Sequence, residues 1–469
     1  MNVVTLAPVD LAVVAAYFAA VLFIGFRATR RSSSTSDFLL AGRSLTLPVF
    51  VMTLVSTWYG GILGVGEFSY LYGISNWVVQ GVPYYFFALL FALFFARRIR
   101  ESGLVSIPDK LEQSYGRPTA MVGAILTFLL TSPAPYILML GTLLQMVSGW
   151  SMITCLFAGM AATSAYLLSG GFRADVQTDM FEFILMFAGF AIILPFAHLQ
   201  FGGFEFIQSH VPSLHLAWHG GNSLQFILVW FLIALWTLVD PSFHQRCLAA
   251  QSPSVARKGI LWSIPFWLFF DGMTATAGLY ARAIMPDLTN PVMAFPILAE
   301  AVLPPFAKGM FYVGMLATIM STLNTLTFVS ASSIGRDIVW RVSRERSDRI
   351  AIVHTRISLI ATAGVAIGMC ILIPSVIKQW YTIGTIIVPG LLIPLLTSYF
   401  KRLTVSSRFA LWAMCLGCTT SLGWMIIGWS QQFGSPDTFP LGVEPMFPGL
   451  LVSVCVWGLG MKYIPSSAA

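Results

Sequence analysis

Charge is what this sequence has least of: Lys, Arg, Asp and Glu make up 10% of its 469 residues, against roughly 25% in a chain whose surface faces water. So few charges cannot clothe a soluble globule, and the same apolar excess excludes a disordered chain. Polar linkers are also missing, so no separate soluble domain is expected. Cysteines are few, and five of the six (Cys155, Cys370, Cys415, Cys418 and Cys455) lie inside apolar runs, where a free thiol behaves as a small packing residue. Cys415 and Cys418 form a C-x-x-C without a second pair or a nearby His, and no metal or redox centre is assigned to them. A net charge of +7 raises nucleic acid as a partner, but the basic residues fall in short clusters between apolar runs, as cytoplasmic loops require.

What the sequence has is hydrocarbon. AVILMFWYC account for 57%, and 39 Gly raise the apolar share to about 65%, enough for a dozen or so spans of about 20 residues each. The first run, Leu11 to Phe26, has no Lys or Arg before it and is followed by Arg27, Arg30 and Arg31, the reverse of a cleavable leader. It reads as a retained span with its N-terminus outside. Twelve more runs follow near 45–73, 76–96, 119–147, 151–169, 176–200, 223–243, 259–284, 307–335, 351–373, 380–400, 408–430 and 447–463. The expectation is an all-α integral protein of the cell membrane with thirteen helices crossing the lipid bilayer and its C-terminus inside. That topology puts 23 of the 26 basic residues on the inner side, leaving only Arg282, Lys308 and Lys378 outside. His210, His215 and His219 fall in an outer loop near 201–221 and are assigned no metal, lacking a carboxylate or Cys nearby.

A carboxylate in hydrocarbon costs several kcal/mol unless it pairs or lines a wet cavity. Glu67, Asp179, Glu182 and Asp271 all fall mid-span, and no Lys or Arg is expected beside them, which favours mobile cations, protons or cationic ligands as partners. The second span carries four Gly in seven positions, Gly60 to Gly66. Such a stretch unwinds easily and frees carbonyls that can coordinate Na+; close helix packing through Gly60 and Gly64 is the alternative. In the ninth span Thr318, Ser321, Thr322 and Thr325 share one helical face with Asn324 beside them, an oxygen-rich stripe suited to a monovalent cation or to interhelical hydrogen bonds. Asp179 and Glu182 face one way on the sixth span. Asp271, beside Gly272 in an aromatic run, suits an organic cation and a second broken helix, with lipid-facing packing of the aromatics as the alternative.

These pieces, in this order, resemble the sodium/solute symporter family, whose members include proline, glucose, sialic acid and iodide carriers. The resemblance rests on Asp37-Phe38-Leu39-Leu40-Ala41-Gly42-Arg43, Ser106-Ile107-Pro108-Asp109 with Leu111-Glu112, Gly170-Gly171-Phe172 leading to Thr178-Asp179, Gln245-Arg246-Cys247-Leu248-Ala249-Ala250, and Ser321-Thr322 ahead of Asp337. It implies a LeuT-type fold with two inverted five-helix repeats at 45–200 and 222–400, an extra helix at 8–27 and two more at 407–464, all one transporter domain. It also implies a Na+ site built from backbone oxygens at Leu54 and Thr57, the Thr318 carbonyl and the hydroxyls of Ser321 and Thr322. A second cation or proton site would use Asp179, Asn324 and Thr325, with Asn324 standing where relatives carry a hydroxyl. The solute is then expected beside the break, against Ser56, Trp58, Tyr59, Glu67, Gln80, Tyr136 and Asp271; proline carriers have Asp where Ser56 aligns. The activity implied is Na+-coupled symport of a small polar organic solute by alternating access. H+ coupling through Asp179 or Glu182 is the alternative. A membrane-embedded enzyme is disfavoured, since no H-E-x-x-H or G-x-S-x-G motif is present.

Overall fold

The computed structural model describes residues 4–29, 34–345, 347–428 and 439–463. Arg30, Arg31 and Arg346, three of the residues expected on the inner side, lie outside them, as do residues 429 and 430 of the twelfth run. The described chain is helical, and a single bridge at Leu45 and Ala250 is its only extended pairing. Among the described residues nine helices are long and apolar enough to cross a membrane, or ten if a bent pair is one span.

The principal helices are α1 (Pro8–Thr29), α2 (Leu47–Trp58), α3 (Ile62–Tyr72), α4 (Val82–Phe94), α5 (Ile107–Tyr115), α6 (Arg117–Leu130), α7 (Ala134–Ser148) and α8 (Met152–Phe201). They continue as α9 (Leu224–Ile233), α10 (Trp236–Val239), α11 (Pro241–Ala249), α12 (Pro253–Ile284), α13 (Ala307–Ser332), α14 (Asp348–Leu372), α15 (Val376–Ser398), α16 (Ser407–Gly428) and α17 (Met446–Lys462). Two of the expected spans appear differently. The fifth and sixth runs form the single helical stretch α8, whose 50 residues reach about 75 Å, far more than one bilayer. It is interrupted at Gly171, where φ is 57° and ψ is −148°, and a Cβ there would come within 2.5 Å of the Phe38 carbonyl oxygen. Only glycine takes that conformation in that space, so the chain changes course without a loop.

The other difference is the second broken helix. The expected place, Asp271-Gly272, lies inside α12, which runs unbroken for 32 residues. The break comes one span earlier, between α9, α10 and α11. There Asp240 leaves the helix (φ −64°, ψ 117°) and caps α11, with Pro241 opening it. Asp-Pro is a helix-start signal, and the apolar run around it concealed the break.

Helix α13 is the axis of the molecule. Its most apolar window is 100% buried, whereas the corresponding window of α1 is 22% buried and faces outward along most of its length. Asp10 of α1 holds the start of α13: its Oδ1 accepts from the Phe306 and Gly309 N–H groups at 2.7 and 2.8 Å, satisfying donors that a helix terminus leaves open. At the other end α13 passes into a wide turn, Ser333–Trp340, and docks on α5 through an ionic cluster. Arg336 bonds Asp109 at 2.5 Å and Asp337 at 2.6 Å, Arg341 bonds Asp109 at 2.8 Å, and Arg341 also pairs with Glu112. Burial opposes ionisation of Asp109, but the Arg336 and Arg341 guanidiniums outweigh it and hold its carboxyl below the usual range.

Candidate functional site

Between α2 and α3 the helix axis turns by 59°. The last turn of α2 ends at Trp58, and α3 starts at Ile62 with no side chain capping its N-terminus. Backbone groups freed in the bilayer need partners, and α13 supplies one: Thr322 Oγ1 donates to the Thr57 carbonyl and lies 3.5 Å from the Thr318 carbonyl. Gly60 allows this approach, because a Cβ there would sit 2.3 Å from Thr322 Oγ1. The Thr57 and Thr318 carbonyls and the Thr322 hydroxyl thus converge. Ser321 Oγ, one residue away, is turned to Asp179 Oδ1 at 2.6 Å, and Leu54 is buried one turn before Thr57.

Asp179 does not lack a basic partner, contrary to the sequence expectation. Arg246 of α11 is fully buried, and its Nη2 bonds Asp179 Oδ2 at 2.9 Å and Thr325 Oγ1 at 3.0 Å, as well as Thr57 Oγ1; its Nε reaches Thr53 Oγ1 at 3.3 Å. Thr325 Oγ1 in turn donates to Asp175 Oδ2 at 2.7 Å. Two of the three residues expected to make a second cation site, Asp179 and Thr325, therefore surround a guanidinium. The third, Asn324, is buried with both ends of its amide unpartnered. Glu182 faces away from this cluster, accepting from Tyr17 of α1 at 2.8 Å. Arg246 looked like an inner-loop residue because it follows an apolar run and precedes Arg257 and Lys258. The signal that could have placed it inside is Asp240-Pro241, which starts a new helix six residues earlier.

Beside the break lies a cavity of about 130 Å³. Trp58, Tyr59, Gln80, Tyr136 and Asp271, five of the seven residues expected to meet the solute, line it. Ser56 and Glu67 do not. The Ser56 hydroxyl bonds back to the Met52 carbonyl at 2.9 Å on the buried side of α2, and Glu67 stays out of the wall although Val65 and Phe68, on either side of it in α3, line it. Trp236, Asp240 and Trp380 also line the wall; Trp236 and Asp240 were unforeseen from sequence because 223–243 reads as one plain span, and Trp380 comes from α15. Thr57 and Thr322 line it as well, so the oxygen cluster and the cavity share two residues. The segment Ser132-Pro133-Ala134-Pro135 separates α6 from α7, and Tyr136 just beyond it lines this space.

The three histidines near 201–221 are engaged separately. His215 Nε2 lies 3.0 Å from the Tyr70 carbonyl, His210 Nδ1 lies 2.9 Å from the Phe206 carbonyl, and His219 Nδ1 accepts from the Gly221 N–H at 3.0 Å. Burial pushes the His215 imidazole below its ordinary pKa. Among the described residues no group of three His, Cys, Asp or Glu side chains is placed to hold a metal.

The profile of the sodium:solute symporter family matches residues 38–417. The chain belongs to the sodium:solute symporter family. It is 25% identical to the osmoregulated proline transporter of Bacillus subtilis over 93% of each chain. It is also 25% identical to the high-affinity choline transporter 1 of Torpedo marmorata, covering 78% of this chain and 68% of that one. In three dimensions it is similar to a Na+-coupled sialic acid symporter, with a TM-score of 0.80 at 16% identity over 97% of both chains, which gives it a LeuT-like fold. A sodium:solute symporter is a membrane transporter and not an enzyme, and that is the class of this chain.

Proposed function

We propose that this family member couples inward Na+ movement to uptake of a small polar organic solute by alternating access. The observation that carries the reading is the sharing of Thr57 and Thr322 between the oxygen cluster and the cavity: an ion bound at one fixes the wall of the other. Na+ would be held by the carbonyl oxygens of Leu54, Thr57 and Thr318 and the hydroxyls of Ser321 and Thr322, weak neutral ligands that suit reversible binding. The solute would rest on Trp58, Tyr59, Gln80, Tyr136 and Asp271. With Arg246 already among the oxygens of Asp179 and Thr325, we propose one transported Na+ rather than two.

The same reading gives thirteen spans in the plasma membrane, N-terminus outside and C-terminus inside. It counts α8 twice, α2 with α3 once, and adds α12 and the 17-residue α17. Two five-helix repeats at 45–200 and 222–400 then each begin with a broken helix, which the interruptions at 59–61 and 234–240 support. Uptake into proteoliposomes under an inward Na+ gradient tests the function; solute entry that is unchanged when K+ replaces Na+ refutes it.

One observation favours H+ as the coupling ion. Asp175 and Glu182 each keep one carboxylate oxygen buried without a hydrogen-bond partner, which a proton would relieve. A pH step at zero Na+ that drives uptake would establish that alternative.

A further inference from the structure

The wall of the cavity carries two carboxylates and no base. Asp240 and Asp271 line it, while no Lys, Arg or His does. Asp240 commits its Oδ1 to capping α11, accepting from the Ser242 N–H at 2.7 Å, the Ser242 hydroxyl at 2.5 Å and the Phe243 N–H at 3.3 Å. Asp271 Oδ2 accepts from the Tyr85 hydroxyl, which itself accepts from Trp77 Nε1 at 3.2 Å. All these donors are neutral, and neither carboxylate enters an ion pair among the described residues. The nearby guanidinium, Arg246, is bound to Asp179.

The remaining wall is largely aromatic. The Trp58 and Tyr84 rings meet edge to face, 4.9 Å between centroids and 67° between planes, and Trp380 stands 6.0 Å from Tyr136. Ring faces carry negative potential, of the same sign as the two acids, so carboxylates and indoles together favour a positive guest. A hard alkali ion prefers the oxygen cluster; indole faces suit a weakly hydrated organic ammonium. A guest bearing a carboxylate would find only neutral side-chain donors in the wall, such as the Gln80 amide and the Tyr136 hydroxyl, besides the uncapped N-terminus of α3. The Trp380 indole covers it, lying 2.4 Å from where a Cβ on Gly61 would stand and 3.0 Å from one on Gly64. The small volume favours a compact headgroup.

We infer that the solute of this cavity is a small organic ammonium cation, its headgroup between the faces of Trp58 and Trp380 and its charge answered by Asp240 and Asp271. This rests on the symport reading only in taking the cavity as the solute path.

The test is binding to the purified full-length protein in NaCl and in KCl, read by tryptophan fluorescence and thermal midpoint. The probes are tetramethylammonium, choline and propylamine, set against glucose (neutral), proline (zwitterionic) and pantothenate (anionic). The cationic probes are expected to saturate at concentrations at least tenfold below the others. Trp58→Leu and Asp240→Asn are each expected to weaken them tenfold or more, with Trp58→Phe intermediate. Asn still caps a helix, so Asp240→Asn retains the fold, and its thermal midpoint without probe verifies that. The inference is overturned if no cationic probe binds, if glucose or pantothenate binds more tightly, or if Asp240→Asn and Asp271→Asn together leave cation binding unchanged. The coupling reading fails separately: Na+ without any probe would then give no stabilisation over K+, whatever the ammonium compounds do.

Discussion

Arg246 and Asp179 form an ion pair at 2.9 Å in which both side chains are fully buried. Two charges taken out of solvent gain net stability only when the remaining polar positions are satisfied, and the Thr53, Thr57 and Thr325 hydroxyls around the guanidinium do part of that work. The pair joins α11 to α8 at the level of the α2–α3 break, so it also ties the two regions that flank the oxygen cluster.

Arg246→Met is therefore expected to destabilise the protein by about 3–5 kcal/mol, because Asp179 is left charged and unpaired. Arg246→Met combined with Asp179→Leu is expected to recover most of that loss. Thermal midpoints of the single and double variants in detergent decide it; a double variant as unstable as the single one contradicts the pairing.

Apolar runs, the glycine-rich break at Gly60 and the hydroxyl stripe on α13 follow from local chemistry, because each constraint is written in consecutive residues. The partner of Asp179 depends on a contact 67 positions away, and no hydropathy window separates a buried Arg from one in a loop. Asp240 was missed for a related reason: its capping role needs a helix start within an apolar run. Ser56 and Glu67 were misplaced because the direction of each side chain depends on where α2 stops and α3 restarts.

Removing ligand oxygens gives a second expectation. Thr322→Ala should raise the Na+ concentration for half-maximal stabilisation about tenfold, a loss of about 1.4 kcal/mol. Ser321→Ala should act less, since that hydroxyl is engaged with Asp179. Thermal midpoints titrated with NaCl at constant ionic strength measure both, and equal Na+ curves for wild type and Thr322→Ala would remove Thr322 from the site.

Space at the break supplies a third. Gly60→Ala forces a methyl against Thr322 and should abolish the Na+ response, whereas Gly364→Ala on α14 meets nothing within 4 Å and should be neutral or gain up to about 1 kcal/mol of helix propensity. Normal Na+ stabilisation in Gly60→Ala would mean that α2 and α13 do not meet as described.

A fourth concerns the α5 cluster and acid. The carboxyl of Asp109 sits below its unfolded value of about 3.9, so its contribution is fully present above that pH and is lost only as pH falls through the lower folded value. Asp109→Asn should cost about 1.5–3 kcal/mol, the worth of hydrogen bonds to a charged group, and by the same amount at pH 6 and pH 8. The difference from wild type should narrow below pH 4. A gap that instead opened between pH 6 and 8 would assign the cluster's stability to another group.

The guanidinium of Arg246 is tethered to the chain and cannot be discharged into the cell. If the carrier moves one ion per turnover, what that ion adds to the solute gradient, beyond any charge the solute itself carries, is set by a single electrochemical step. At 100 mV the electrical part of that step is about 2.3 kcal/mol, roughly a fifty-fold accumulation, where a second released ion would square the ratio. On that reading one arginine would fix the exchange rate between stored voltage and captured solute.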